Sequence, residues 1–553
     1  MAASDPLLVG IDLGAGSLKI SIITASGALL GEASAPVATA APHPGWSEQN
    51  PEDWWRAACD ALRRGLAAAN RPALDIAAIS FSAGAHTQVL ADADGRVIRP
   101  AILWNDQRSR AETQALRDRA DARILEIGAN RANPTWTLPQ MLWLARHEPD
   151  SFKRVKRLYV AKDWLRARFT GTWETDTIDA LGTLMLDAKT ATWSQELCGM
   201  IGWPLATLPP IVKPSTVVGR VSVEAARATG LAAGTPVVCG TSDTAAETFG
   251  AGMVREGIGV VKLATAATVS VLSPVPHPDF SLINYYHVVP EHWYVIAATN
   301  SCASAHKWLR DTFFRRDGED GGAAFDAMDA RAAKVAPGAE GLFFHPYLNG
   351  ERSPYWDPLL RADFVGAGFN HGGGHFVRAL YEGIAYSLRD CLEAMKAKGL
   401  GFSTARLTGG GARSALWRQI VADVLDITVE LPEVADASFG AALLAGVGIG
   451  IFKDERAAAD VVRIVSRAEP DAARAALYAR GFPIYRDIHF FENERYSSYV
   501  PPSSWLPYRI STLYGGEVTI RSTLPLFSCV VERTSSLIIR SRSFLKKDLD
   551  GTL

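Results

Sequence analysis

Apolar residues near the start of the chain come in short runs broken by small and polar ones. Leu7 to Asp12 is one run, LGAGS turns the chain, and Leu18 to Thr24 is the next. Ala25-Ser26-Gly27 turns it again into a third run, Ala28 to Ser34, so the pattern predicts a β-meander. The first helix follows: Asn50 suits its cap, Pro51 its first position, and Glu52 and Asp53 its positive end. Further strand-like runs (Ile76 to Phe81, Leu158 to Ala161, Pro236 to Gly240) alternate with amphipathic stretches, which predicts an α/β protein. A second hairpin is predicted over Gly257 to Leu272, GIGVVKLATAATVSVL, with Thr265 and Thr268 in and beside its small-residue turn. Phe376 to Lys398 reads as a helix, with Phe376, Leu380, Ile384 and Leu388 four residues apart. Ala437 to Phe452 reads as a buried helix and its following turn; a membrane span needs about 20 apolar residues.

A chain of 553 residues exceeds one ordinary core and implies two domains and an appendage. The two hairpins share a pattern more than identity, so the two domains are expected to be related in build. We expect boundaries at 1–250, 251–490 and 491–553. The last segment is set apart because alanine stops at Ala479 and Ser, Pro, Tyr and Arg take over; it reads as an appended tail, folded or not. A formal charge of −2 gives no reason to expect capture of nucleic acid or of an anionic membrane. Six scattered cysteines with no CxxC pair fit reduced thiols. With no secretory signal in MAASDPLLVGID, the expected location is the cytoplasm.

Three segments could carry chemistry. Asp12 ends a buried strand and opens the turn Gly14-Ala15-Gly16-Ser17, whose backbone N–H groups can face phosphate while the carboxylate holds a magnesium ion. The alternative is a plain hairpin turn. Asp243, in PVVCGTSDTAAETFGAG, follows a buried strand among small residues, where it can accept a proton from an attacking hydroxyl or, alternatively, cap a helix. In LTGGGARSALWRQIVADVL a strand ends at Thr408, Gly409, Gly410 and Gly411 follow, and Ser414 can cap the next helix. That combination suits phosphate or a purine laid against backbone, or serves as a connector. There is no P-loop, no G-x-S-x-G elbow and no histidine pattern of a metal site.

Together and in order, these segments resemble the FGGY family of carbohydrate kinases, in its xylulokinase-like branch, over roughly Leu7 to Arg486. GIDLGAGSLK resembles the first phosphate hairpin, RPAILWNDQR the sugar-pocket segment, and CGTSDTAAETFGAG the catalytic aspartate segment. FHPYLNGERSPYWDP and VGAGFNHGGGHFVRALYEGIAYSLRD are similar to two further signatures. The resemblance implies an actin-like, ribonuclease H-like fold of two lobes, an N-terminal sugar-binding one and a C-terminal nucleotide-binding one, with ATP and the acceptor in the cleft between. Asp243 would be the catalytic base and Asp12 would place Mg2+. Gly14, Gly16, Ser17, Thr265, Gly409, Gly410, Gly411 and Ser414 would contact ATP. Ala85, His86, Trp104, Asn105, Asp106 and Thr244 would join Asp243 around a small sugar or polyol, most simply a pentulose such as D-xylulose. Departures from the xylulokinase pattern are Gly84 and Ala85 in SAGAH for Gln and Met, Thr244 for an amide, Gln140 for a lysine, and Ala264 and Ala266 in the second turn. They leave a sugar acid, a tetritol or another polyol open as acceptor. An actin-like ATPase or a non-catalytic sugar-binding module is the rival class. Monomer and homodimer both remain open.

Overall fold

The computed structural model describes residues 5–314, 321–499 and three strands beyond them. The chain forms two compact units, Met1–Asp487 and Ile488–Leu553. In the second unit, Tyr508–Thr512, Val518–Ser522 and Ser528–Val531 form an antiparallel sheet; the rest of the expected tail from residue 500 lies outside the described residues.

The first unit is built on two seven-stranded sheets. The meander forms β1 (Leu7–Leu13), β2 (Ser17–Thr24) and β3 (Leu29–Pro36), one or two residues displaced from the pattern. Helix α1 (Pro51–Ala69) covers β2 and β3, and Asn50 caps it by accepting from the Glu52 N–H at 3.1 Å. With β4 (Ile76–Ala83), β5 (Val217–Arg220) and β6 (Pro236–Val238), the order is β5-β6-β4-β1-β2-β3. Strand β4 runs parallel to β1, to β6 and to the short Thr241–Ser242 strand. Their shared register sets Leu13 and Ser242 beside Ala83, so three loops leave the sheet at one edge. Helix α2 (Asp243–Gly250) starts there.

The second sheet repeats the plan. Its hairpin is β7 (Gly257–Leu263) and β8 (Ala267–Ser273), followed by β9 (Ile283–Tyr286), β10 (Trp293–Ala298), β11 (Phe402–Thr408), β12 (Thr428–Pro432) and β13 (Ile464–Ala468). The order is β9-β10-β8-β7-β11-β12-β13, with β11 parallel to β7 as β4 is to β1. Helix α3 (Gly373–Lys396) packs on this sheet and on α4 (Ala415–Leu425). The expected strand at Leu158 to Ala161 ends at Val160, and Ala161 begins a helix.

The halves are not side by side as separate blocks. Helix α5 (Ala437–Gly448) leaves the second sheet and packs across β1, β4 and α2 of the first. Glycines allow the approach: a Cβ on Gly10 would stand 1.8 Å from the Ser438 carbonyl oxygen, and one on Gly440 1.8 Å from that of Ala246. Among the described residues, no helix is long and apolar enough to cross a membrane.

Candidate active site

The shared edge of the first sheet assembles the site. Gly84 N–H donates to the Leu13 carbonyl at 3.2 Å, which draws the loop after β4 against the end of β1. Asp12 accepts from the Ser82 hydroxyl at 2.8 Å, one strand over. Asp243 is the first residue of α2, not its cap, since Ser242 holds the cap position. One Asp243 carboxylate oxygen accepts from the Thr244 N–H at 2.6 Å and from its hydroxyl at 3.2 Å, and the Ala85 N–H also donates to the carboxylate. These donors orient the carboxylate and favour its charge. Burial works against them and raises its pKa on balance, while the Lys262 ammonium pulls the other way.

Asp12 is perturbed further. Burial and the Asp243 carboxylate beside it push its pKa up to about 8, with smaller contributions from Asp436 and Glu247. Lys19 pairs with Asp436 at 2.7 Å and Lys262 with Glu247, whereas among the described residues the Asp12 oxygens have a neutral hydroxyl as their one partner. A single carboxylate of this kind suits a hard divalent cation that takes its other oxygens from water and phosphate.

Two turns flank the carboxylates. In the first, Gly14 N–H closes the turn on the Ser17 carbonyl at 3.0 Å, and Ala15, Gly16 and Ser17 are exposed. In the second, the Thr265 side chain is exposed while its carbonyl is held by the N–H groups of Cys302 at 3.0 Å and Ser304 at 3.2 Å. The glycine loop lies against that turn. Gly409 has φ of 84°, and a Cβ there would meet the Leu263 carbonyl at 2.6 Å; one on Gly411 would meet the Leu263 side chain at 2.8 Å. Packing therefore accounts for two of the three glycines, and Gly410 faces open space. Ser414 caps α4, its hydroxyl accepting from Trp417 N–H at 3.0 Å.

The pocket residues divide into exposed and engaged. Trp104 is 45% exposed and Asn105 is exposed too. A Cβ on Gly84 would stand 3.2 Å from Trp104 Cδ1 and 3.9 Å from an Asp243 oxygen, so the missing side chain lets the indole pack close to the backbone beside the carboxylate. Asp106 is wholly buried. It accepts from Ser47 N–H at 2.6 Å and pairs with Arg108, which shapes the loop carrying Trp104. Gln140 donates to the Leu103 carbonyl at 3.3 Å and braces the same loop. His86 has φ of 63°; its Nδ1–H donates to the Gly182 carbonyl at 2.6 Å and its Nε2 accepts from the Tyr285 hydroxyl at 2.7 Å. Burial lowers its pKa to about 4, so the ring is neutral near pH 7, stacked on Trp136 at 4.3 Å. Both nitrogens are occupied, and His86 meets the pocket as a wall.

Two features carry no motif. Thr241 donates to Asp176 at 3.1 Å, within a buried network in which Lys162 pairs with Asp163 at 2.6 Å, Asp176 at 3.0 Å and Asp179 at 3.3 Å; it anchors the strand entering Asp243. Lys262, in β7, pairs with Glu247, one helical turn beyond Asp243. Periodicity hides both, because Thr241 meets Asp176 across 65 residues and Lys262 meets Glu247 between a strand and a helix.

Family models match this arrangement along its length: the N-terminal domain of the FGGY family of carbohydrate kinases over residues 7–250 and its C-terminal domain over residues 259–449. The chain belongs to the FGGY family of carbohydrate kinases. A xylulose kinase of Bacillus subtilis is 32% identical over 486 residues, 87% of this chain and 96% of the relative. A gluconokinase of the same organism is 27% identical over 496 residues, 88% of this chain and 96% of the relative. The crystal structure of a xylulose kinase from Rhodospirillum rubrum superposes with a TM-score of 0.81 at 29% identity, covering 89% of this chain and all of that one. This FGGY chain is thus an ATP-dependent sugar kinase with the two-lobed actin-like fold.

Proposed function

We propose that this kinase phosphorylates a pentulose such as D-xylulose at a terminal hydroxyl, with Asp243 as the base. The observation carrying the reading is the Asp243 carboxylate, held by Ala85 N–H and by Thr244 and set beside the exposed Trp104. Asp243 accepts the hydroxyl proton, the freed oxygen attacks the γ-phosphorus in line, and ADP leaves. Residues 1–250 make the sugar lobe and 251–490 the nucleotide lobe. The turns at Gly14, Gly16 and Ser17 and at Thr265 face the phosphates, and Gly409 to Gly411 with the capped start of α4 at Ser414 face the adenosine. Trp104 and Asn105 contact the sugar, His86 walls it, Thr244 orients the base, and Asp106 holds the loop. Asp12 would hold Mg2+, which when bound neutralises charge on the phosphates. Closure of the lobes excludes water, so the sugar receives the phosphoryl group.

The small Gly84 and Ala85, where the xylulokinase pattern has Gln and Met, favour a second acceptor class, the sugar acids, in keeping with the gluconokinase relative. Acceptor-dependent ADP release across pentuloses, sugar acids and small polyols separates the two. Stimulation by D-xylulose alone supports the first reading, and stimulation by an aldonic acid alone replaces it.

A further inference from the structure

The two sheets repeat one another down to the residue at the mouth of each hairpin. In β1 the penultimate residue is Asp12, paired in register with Lys19 on β2 and Ser82 on β4. In β7 the penultimate residue is Lys262, paired with Thr268 on β8 and Thr408 on β11. Asp12 and Lys262 therefore occupy equivalent places, each just before a turn expected to face phosphate. One place carries an acid and the other a cation.

Lys262 is held as a charged lysine. Glu247 receives its ammonium on one oxygen and the Thr408 hydroxyl, at 2.9 Å, on the other. Glu247 follows Asp243 by four residues on α2, so both acids lie on one face of that helix. The Lys262 side chain is 34% exposed against 11% for Glu247, so the ammonium is the solvent-facing partner. It lies within electrostatic reach of Asp243 and Asp12 as well. Among the described residues Glu247 is its one hydrogen-bond partner, and an ammonium has three N–H donors. A strand lysine held by a helix glutamate is also how protein kinases present a lysine to phosphate.

We infer that Lys262 is a catalytic residue whose ammonium donates to the γ-phosphoryl oxygens as the phosphoryl group passes to the sugar. The inference rests on the reading of Asp243 as base and of the cleft as the ATP site. A bond forms between the acceptor oxygen and phosphorus, the bond from phosphorus to the ADP oxygen breaks, and the hydroxyl proton goes to Asp243. Lys262 keeps its protons throughout. It supplies fixed positive charge where the three equatorial oxygens carry the transferring negative charge, in a region otherwise crowded with carboxylates.

The test compares wild type, Lys262→Met and the doubly neutral Lys262→Met/Glu247→Gln in the full chain. Losing one such donor costs about 10²- to 10³-fold in kcat. Lys262→Met should show that loss with the acceptor KM within about threefold of wild type, and the double variant should not recover. A lysine serving only to neutralise Glu247 gives the opposite result: the double variant returns to within about tenfold of wild type, and the inference falls. Calorimetric titration with MgATP and MgADP gives a readout independent of the acceptor. Lys262→Met should weaken MgATP at least about tenfold more than MgADP, and equal weakening overturns the inference. If wild type turns over none of the acceptors, the substrate reading fails alone, and the nucleotide comparison still decides Lys262.

Discussion

Replacing Gly440 with alanine puts a methyl group where the backbone of another helix already lies. The new Cβ would stand 1.8 Å from the Ala246 carbonyl oxygen and 2.6 Å from its carbon, and at the same crossing a Cβ on Gly250 would stand 3.0 Å from the Gly440 nitrogen. Because the obstacle is backbone, no side chain can swing aside, and α2 and α5 must separate by about 1.6 Å to reach ordinary contact. Overpacking of this kind costs about 3 kcal/mol; against about 2.1 cal/mol/K of unfolding entropy per residue over 487 residues, that lowers Tm by only ~3 °C. The effect on chemistry is larger. Asp243 starts α2, while the far side of α5 rests on the strand carrying Asp12, so the displacement separates base from phosphate turn. A misplacement of about 1 Å costs roughly 10²-fold in rate. Differential scanning fluorimetry and steady-state ADP release on Gly440→Ala give the two numbers. Gly199→Ala, at a helical site with nothing within 4 Å of the added methyl, is the control and should leave both within error. A Gly440→Ala protein with wild-type kcat and Tm would refute the close crossing and its role in holding the lobes.

The remaining predictions concern single groups. Asp243→Asn should reduce kcat by at least about 10²-fold with little change in Tm, and a variant retaining a tenth of the activity removes Asp243 from the role of base. Because burial raises the Asp243 pKa, the acid limb of the wild-type rate profile should lie above the ordinary aspartate value; a limb at or below 3.8 contradicts this environment. Glu351 accepts from the N–H groups of Asn300 and Arg352 on one oxygen, and burial pushes its pKa from 4.5 up to about 8. A raised carboxyl favours the folded state while protonated, so its contribution is complete below pH 4.5 and is lost as the pH rises toward 8. Glu351→Gln should therefore gain on wild type in unfolding free energy from urea titration as the pH is raised from 5 to 8, by about 3–4 kcal/mol; parallel curves would contradict the shift.

How much was legible in the sequence depended on how local the cause was. The hairpins, the Asn50 and Ser414 caps and the strand–glycine–helix connection follow from turn chemistry and alternation within a dozen residues, and the structure keeps them nearly in place. Motif order along the chain also pointed to the family that the domain matches establish. The same local logic overran Ala161, where a helix begins, and offered Asp243 as a cap when it is the first helical residue.

Tertiary structure decided what each side chain faces. Asp106 sits in the same exposed-looking segment as Trp104, yet it is fully buried on Arg108 because the chain folds back over it. His86 spends both nitrogens on Gly182 and Tyr285, partners 96 and 199 residues away. Lys262 holds the place equivalent to Asp12 only because two sheets repeat one register, and Gly440 matters only because α5 returns to the first sheet. Turns and caps obey short-range sterics and hydrogen bonding, which sequence encodes directly. Burial, pairing and pKa depend on the dielectric and charge supplied by distant segments, and those exist only once the chain has closed on itself.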